Sequence, residues 1–469
     1  MPPTSTALPG APRSSDDLIA AVKRQRAERV WLATLWAYSR NPVTPISPGS
    51  MRVRQAQEQG LPARLISPLP NAHREIVIEN DIGWRIATMV DFLFGKPIGF
   101  AGASPAISAA LKSVWDASGG MALLHEVGLL GHTYGFVDLR LRESAGASRS
   151  AASGFALRIE AVPPERAMPF VSPTDGRALA AYGIVAAAGN TNNNMVSNHN
   201  TASSHNHNKT QAAELHIELL SAGRIVWLSL ASGTLTSLGS MADPLASAAA
   251  QTLGTFDDSA RTGPPPIVHI QSVAQPLRYA GQSEVEPLIG LQNELNTRLS
   301  DRANRVTLQS FKMYLAKGLD GLDKAPVAPG TIWHTSNPDA SIEAFGGDAN
   351  SPSEESHINE IREAMDKVSS TPPLATGVVR SKIGNLTSEN ALRVTLQGIL
   401  TRTARKRMSY GRGITTINTL ILARLNELGI LSTTPAERTT QVLWQDPLPE
   451  QRTNQQSPAA MDPQGAWLG

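Results

Sequence analysis

Two amphipathic stretches flank a short β-rich segment, and no other feature of this chain restricts its fold as much. In EVEPLIGLQNELNTRLSDRANRVTL (residues 284–308), Leu288, Leu291, Leu295, Leu299, Ala303 and Val306 recur at steps of three and four. That period puts them on one stripe of a helix. Pro287 suits its first turn, where a missing N–H costs nothing. At about 1.5 Å per residue the helix spans roughly 35 Å. Gln292, Asn293, Glu294, Asn296, Arg298, Asp301, Arg302, Asn304 and Arg305 fill the other faces, so the pattern predicts packing on one side and water on another. A second helix opens at Ser351, Pro352 and Glu354, a cap signature, and repeats Ile358, Ile361, Met365 and Val368. Between them FKMYLAKGL and PGTIWHT have β character. The chain is expected to run out along one helix and back along the other. An ordinary antiparallel helix pair in a globular core satisfies the same pattern.

The rest of the 469 residues reads as a mixed α and β chain. A helix is predicted from Ser15 to Asn41, stopped by Pro42. A second runs from about Ala72 to Gly95, with Ile78, Ile82, Ile86, Val90 and Leu93 on its buried face. Leu111–Trp115 suggest further helix. MALLHEVGLLGHTYGFVDLRLRE reads as helix, glycine break and strand. Strands follow at 155–162 and near Tyr182–Val185. ELHIELL and GRIVWLSL form a hairpin across Ser221–Gly223, and IVHIQSV is one more strand. Residues 187–211 are Asn/Ser/His-rich and are read as a flexible loop. Residues 231–265 read as a polar linker. Thr387 or Ser388 caps a long helical tract reaching Leu428, with a bend expected at Gly398, Gly411 or Gly413. QVLWQD is strand-like.

Composition excludes several function classes. The absence of cysteine rules out disulfides, thiol catalysis and Cys-based zinc sites. A formal net charge of +2 argues against a protein that coats nucleic acid. The start, MPPTSTALPGAPRSSDD, has no apolar signal region, and no apolar run is long enough for a membrane span. Phosphate-binding, nucleophile-elbow, H-E-x-x-H and dinucleotide fingerprints are absent. His199, His205 and His207 lie in the Asn-rich loop without a carboxylate beside them, so no metal site is expected. No cofactor or catalytic residue is expected either. Arg402, Arg405, Lys406, Arg407 and Arg412 make a basic run, read as a solvated or inter-subunit face with nucleic-acid contact as the alternative.

Several segments, in order, resemble the portal proteins of tailed bacteriophages. IATMVDFLFGKPIGF resembles that family's N-terminal helix and its glycine–proline turn. GLLGHTYGFVDLRL resembles its helix-to-strand passage, and IEAVPPERAMPFV the strand–proline–strand that follows. LRYAGQSEVEPLIGLQNELNTRLSDRAN resembles the lead-in to the first stem helix, with its G-x-S-E and S-x-R positions. LTSENALRVTL resembles the start of the long wing helix, with Glu389 where the family usually has glycine. LWQDPLP resembles the late wing strand. Together they span roughly residues 70–450.

The resemblance implies an α+β, ring-forming portal fold. It implies an α/β wing at 1–283 with the flexible insert 187–211, stem helices at 284–308 and 351–370, and a small α/β clip at 309–350. A channel loop falls at 371–387, a long kinked wing helix and late wing strand at 388–449, and a short tail or reduced crown at 450–469. It further implies a homo-oligomeric ring of about twelve subunits at one capsid vertex of the virion, assembled in the host cytoplasm. Double-stranded DNA would be packaged through it by a separate terminase motor, retained, and ejected. The implied partners are the terminase large subunit, the major capsid or scaffolding protein and a head–tail adaptor, with no membrane. Arg380 and Lys382 would face DNA on the channel loop. Glu354, Glu355, Glu360, Glu363 and Asp366 would line the stem, or pair instead with Arg298, Arg302 and Arg305. Two other classes fit the residues alone: an enzyme whose active site carries no known motif, and a ring or scaffold protein of another kind.

Overall fold

The computed structural model describes residues 15–46, 53–66, 75–143, 157–173, 178–187, 214–221, 224–231, 250–257, 265–276, 278–310, 313–317, 337–345, 352–376 and 389–448, besides Pro12. In chain order these form α1 (Ser15–Arg40), β1 (Val43–Pro45), β2 (Val53–Gln55), α2 (Asp81–Phe94), β3 (Gly99–Ala101), α3 (Pro105–Ala117), α4 (Met121–Tyr134), β4 (Phe136–Glu143), β5 (Leu157–Val162), β6 (Ala167–Val171) and β7 (Leu179–Ala187). Then come β8 (Glu214–Ser221), β9 (Arg224–Ala231), β10 (Ala250–Asp257), β11 (Ile267–Gln271), α5 (Ile289–Ser310), β12 (Met313–Lys317), β13 (Ser341–Phe345), α6 (Pro352–Ser369), α7 (Glu389–Thr395), α8 (Gln397–Glu427) and β14 (Gln441–Leu443). Among the described residues every strand pairing is antiparallel. One sheet has the order β10-β9-β8-β7-β6 and another β11-β4-β5, with ribbons β1-β2, β12-β13 and β14-β3.

The main core is built by α2, α3, α4, α5, α6 and α8 around β4, β5 and β11. Its centre includes Ile82, Phe94, Leu111, Val137, Leu295, Met365, Ile417 and Leu425. A second cluster sits under the five-stranded sheet, where Leu18, Ile19 and Val22 of α1 meet Phe170, Val185 and Ile217. Thus the two ends of α1 belong to different cores, since Leu35 and Tyr38 join the main one.

Gly135 ends α4 in the left-handed region at φ 88, and β4 begins at the next residue. The position admits no side chain: a Cβ there would stand 2.4 Å from the Gly281 carbonyl oxygen. Gly131 is confined for another reason, since the Tyr410 hydroxyl lies 2.0 Å from where its Cβ would be.

Four expectations need correction. First, α2 starts at Asp81, not near Ala72. Asn80 caps it by accepting from Gly83 N at 3.0 Å, and residues 75–80 before it belong to no helix or strand. Second, the polar face of α5 is not wetted along its length: Gln292, Asn296 and Ser300 are fully buried. The two corrections have one cause. Asn304 accepts from Glu75 N at 3.0 Å and donates to Glu75 O at 2.8 Å. Ser300 Oγ accepts from Val77 N at 3.0 Å, Asn296 from Glu79 N at 3.1 Å, and Gln292 from Ile82 N at 3.1 Å. Four helical residues rise about 6 Å, much as two residues of strand-like chain do, so the i, i+4 row keeps step with Glu75, Val77 and Glu79, and its last member, Gln292, reaches Ile82 three residues on. The row acts as a neighbouring strand would. It satisfies backbone groups of Glu75, Val77 and Glu79, which is why that segment need not be helical.

Third, residues 250–257 within the expected linker are β10, paired to β9 with a register shift between Thr252 and Gly254. Fourth, the break in the long helical tract falls at Leu396, between α7 and α8, and α8 runs on through Gly398, Gly411 and Gly413. Gly413 serves packing, since a Cβ there would lie 2.4 Å from Ile270. Val306 and Val368, placed in the apolar stripes, are 37% and 41% exposed. The loop 187–211 except Ala187, the segment PGTIWHT and residues 449–469 lie outside the described residues.

Candidate functional site

α5 and α6 run antiparallel. Arg305, near the end of α5, pairs with Glu354 at the start of α6. At the opposite end of the pair, Arg402 of α8 bridges Glu284, just before α5, to the last carbonyls of α6. Of the five acids on α6, Glu354 is thus held by Arg305 and Asp366 by Arg85 at 2.6 Å. Glu355, Glu360 and Glu363 are exposed, and Glu360 accepts from Ser356 of its own helix at 3.3 Å. Arg298 pairs along α5 with Glu294 at 2.7 Å and lies 3.6 Å from Asp301. Arg302 is exposed.

The basic run on α8 divides in two. Arg402 and Lys406 turn inward onto Glu284, with Lys406 Nζ at 2.6 Å. They are partners of a buried acid within the chain, and Lys406 is itself buried, so neither is a freely solvated charge. Arg407 lies over the Trp444 ring at 5.2 Å and donates to the Gln445 carbonyl at 2.7 Å. Arg405 and Arg412 are exposed. Arg380 and Lys382 lie outside the described residues.

The ion cluster around Glu284 is not legible in the sequence. Its parts are far apart in the chain and share no local pattern, although the G-x-S-E stretch at Gly281–Glu284 holds its centre. Each residue of that stretch has a structural task, Gln282 N donating to Val273 O at 2.9 Å. Gly281 passes closely by Gly135. Ser283 Oγ donates to Thr133 O at 2.6 Å and accepts from Val285 N at 3.0 Å, opening the helix. Glu284 N donates to His132 O at 3.0 Å. Burial acts to raise the Glu284 carboxyl, but Lys406 and then Arg402 outweigh it and hold it at about 2. Burial lowers Lys406 to about 8, against the pull of Glu284. His132 is held down to about 3, first by burial and then by Lys406. Its Nδ1 faces the Gly128 carbonyl at 2.6 Å. In the neutral ring Nδ1 therefore carries the proton and Nε2 is the acceptor.

These shifts set an acid dependence. Unfolded His132 takes up a proton near pH 6.5 and the folded residue only near 3. Unfolded Glu284 does so near 4.5 and the folded residue near 2. Both folded values are depressed, so both contributions are complete above the unfolded value and fade as pH falls. Between pH 6.5 and 4.5 His132 alone should steepen the loss by about 1.4 kcal/mol per pH unit. Urea unfolding across that window, wild type against His132→Gln, should show the difference in slope. Equal slopes would contradict the assignment.

A second buried cluster joins the two larger sheets. Asp138 accepts from Tyr182 at 2.6 Å and Tyr279 at 2.8 Å, and His269 Nδ1 lies 2.7 Å away. Burial, then Asp138, raises both tyrosines. Three contacts hold the carboxylate, and among the described residues no serine or threonine shares in them, so the cluster reads as a structural joint. A surface cleft of about 470 Å³ beside β3 and α3 is lined mainly by apolar groups, among them Phe100, Trp115, Met121 and Leu443. Among the described residues no group of three or more histidines and carboxylates could hold a metal ion. His199, His205 and His207 lie outside them. No helix among the described residues is long and apolar enough to cross a membrane.

The site is therefore a braced helix pair with an acidic outer face, in a mixed α and β chain. Residues 85–456 match the family model for phage portal proteins of the SPP1 Gp6-like type, and the chain belongs to that family, whose members are generally structural, not catalytic. Among solved structures, the chain is similar to one in the virion of a native gene transfer agent particle, at 11% identity and TM-score 0.40, over 77% of this chain and 78% of that one. It is also similar to a chain in the neck of an empty particle of that kind, computed with C6 symmetry, at 11% identity and TM-score 0.37, over 76% and 88%. No curated protein sequence matches.

Proposed function

We propose that this portal-family chain is the subunit of a closed ring of about twelve copies at one capsid vertex. Double-stranded DNA passes through the ring during packaging by a separate terminase motor, is retained, and later leaves by the same route. The ring docks the terminase and afterwards head-completion and tail proteins. In this reading residues 1–283 are the wing, 284–308 and 351–370 the stem, 309–350 the clip and 371–387 the channel loop. α7, α8 and β14 return to the wing, and 450–469 are a reduced crown. The virion is its place of action.

One observation carries the reading: the bracing of α5 and α6. α5 packs its apolar stripe inward and closes much of its polar face on residues 75–82. The outer face of α6 keeps Glu355, Glu360 and Glu363 in solvent. A wall of acids repels phosphates and lets DNA slide, where a strongly basic wall would hold it. Glu354 and Asp366, already paired, contribute less to that wall. Arg380 and Lys382 supply the opposite charge on the channel loop, where each phosphate contact is weak and salt-screened but is repeated around the ring.

Replacing Arg380 and Lys382 together by alanine tests this. Heads should fill and then lose DNA, the more so at high salt. Normal rings that keep their genomes at wild-type levels in low and high salt would remove the role.

A further inference from the structure

α6 ends in an uncommon way. Ser370, the next residue, sits at φ 54, a conformation a side chain disfavours. Such a turn persists where the surroundings fix both sides of it, and here two arginines do so. Arg85 is fully buried; it donates to Ser369 Oγ at 3.0 Å, Thr371 O at 2.9 Å and Asp366 at 2.6 Å. Ser369 Oγ in turn accepts from Thr371 N at 3.2 Å. From the other side Arg402 donates to Ser369 O at 2.9 Å and Val368 O at 3.3 Å while its remaining nitrogens hold Glu284. The last carbonyls of a helix have no partner within it, so Arg402 supplies what the helix lacks. It also ties α8 to the start of α5 and the end of α6 at once.

We infer that Arg402 is a positioning residue that couples α8 to the exit of the chain from α6. Its relevance to DNA rests on the reading of residues 371–387 as the channel loop. Arg402 is separable from stability in a way that Arg85 is not. Arg85 compensates Asp81, which is almost wholly buried. Glu284, by contrast, keeps Lys406 when Arg402 is removed. The role also demands a guanidinium. A lysine at 402 has one nitrogen and could hold Glu284 or the carbonyls, but could not set a two-nitrogen fork, Nε and Nη2, on Glu284 and a third nitrogen, Nη1, on Val368 O and Ser369 O.

The test is hydrogen exchange on the full chain in its assembled form, with Arg402→Met and Arg402→Lys. Both variants should speed exchange at Ser370–Thr376 by about tenfold while α4 and β4 exchange as in the wild type. Unchanged exchange at Ser370–Thr376 would overturn the coupling. Equal acceleration in α4, α5 and α8 would also overturn it, because Arg402 would then be only a structural residue. Restoration by lysine would refute the requirement for the fork. Genome retention in filled heads separates the two readings. Faster exchange with normal retention leaves the coupling standing and removes the DNA role of the loop.

Discussion

Glu284→Gln should lower the stability of the folded chain by about 3–5 kcal/mol, the usual cost of leaving a buried charge without its partner. The side chain keeps its shape and loses its charge, so packing is barely disturbed. Lys406 is the group left stranded, since its side chain is only 4% exposed. Arg402 is less affected, because its side chain is 20% exposed and it also bonds the α6 carbonyls. The double variant Glu284→Gln, Lys406→Met removes both buried charges and should recover much of the loss, giving a coupling of more than about 1 kcal/mol in a double-mutant cycle. Chemical unfolding measures both. A single variant within about 0.5 kcal/mol of wild type would mean that water reaches the cluster, and the ion pair would then not brace the helix pair.

Gly135→Ala should cost about 3 kcal/mol or more. Two penalties add there: the left-handed backbone at φ 88 and a Cβ 2.4 Å from the Gly281 carbonyl oxygen. Neither neighbour is a side chain that can swing away, because the contact is backbone on backbone. Gly429 provides the control. It has φ 69, and a Cβ added there would meet nothing within 4 Å, so Gly429→Ala should cost only about 1 kcal/mol. Similar losses at the two positions in thermal unfolding would show that the approach of Gly135 to Gly281 is not the constraint described.

Much of the architecture is legible in the sequence because it is written in local patterns. The passage from α4 through Gly135 to β4, the α5 and α6 stripes, the β8–β9 hairpin and the stop of α1 at Arg40 all follow from period and turn residues. What stays hidden depends on distant partners. Gln292, Asn296, Ser300 and Asn304 read as a wetted face because an i, i+4 row of amides and hydroxyls looks the same whether it meets water or a backbone. The start of α2 is obscured for the same reason, since Ile78 fits the helical period but the backbone N–H groups of its neighbours Val77 and Glu79 are taken by side chains of α5. Glycines in α8 signal a bend to a local reading, yet Gly413 is small because Ile270 crosses there. β10 escapes a local reading because AQTLGTFD carries few large apolar residues, and its pairing with β9 defines it. Arg402 and Lys406 look like surface charges because Glu284, which draws them inward, lies more than a hundred residues earlier in the chain.

The family resemblance in the sequence is sounder than the site residues drawn from it. Of the acids on α6, two are taken by arginines of α2 and α5, and three face solvent.

Native mass measurement of the purified chain, across several salt concentrations, tests the central claim most directly. A chain of 50.0 kDa should assemble into a closed particle of roughly 600 kDa, about twelve copies. A ring one subunit larger or smaller agrees with the account. Only monomers and dimers, at every salt concentration tried, would contradict it.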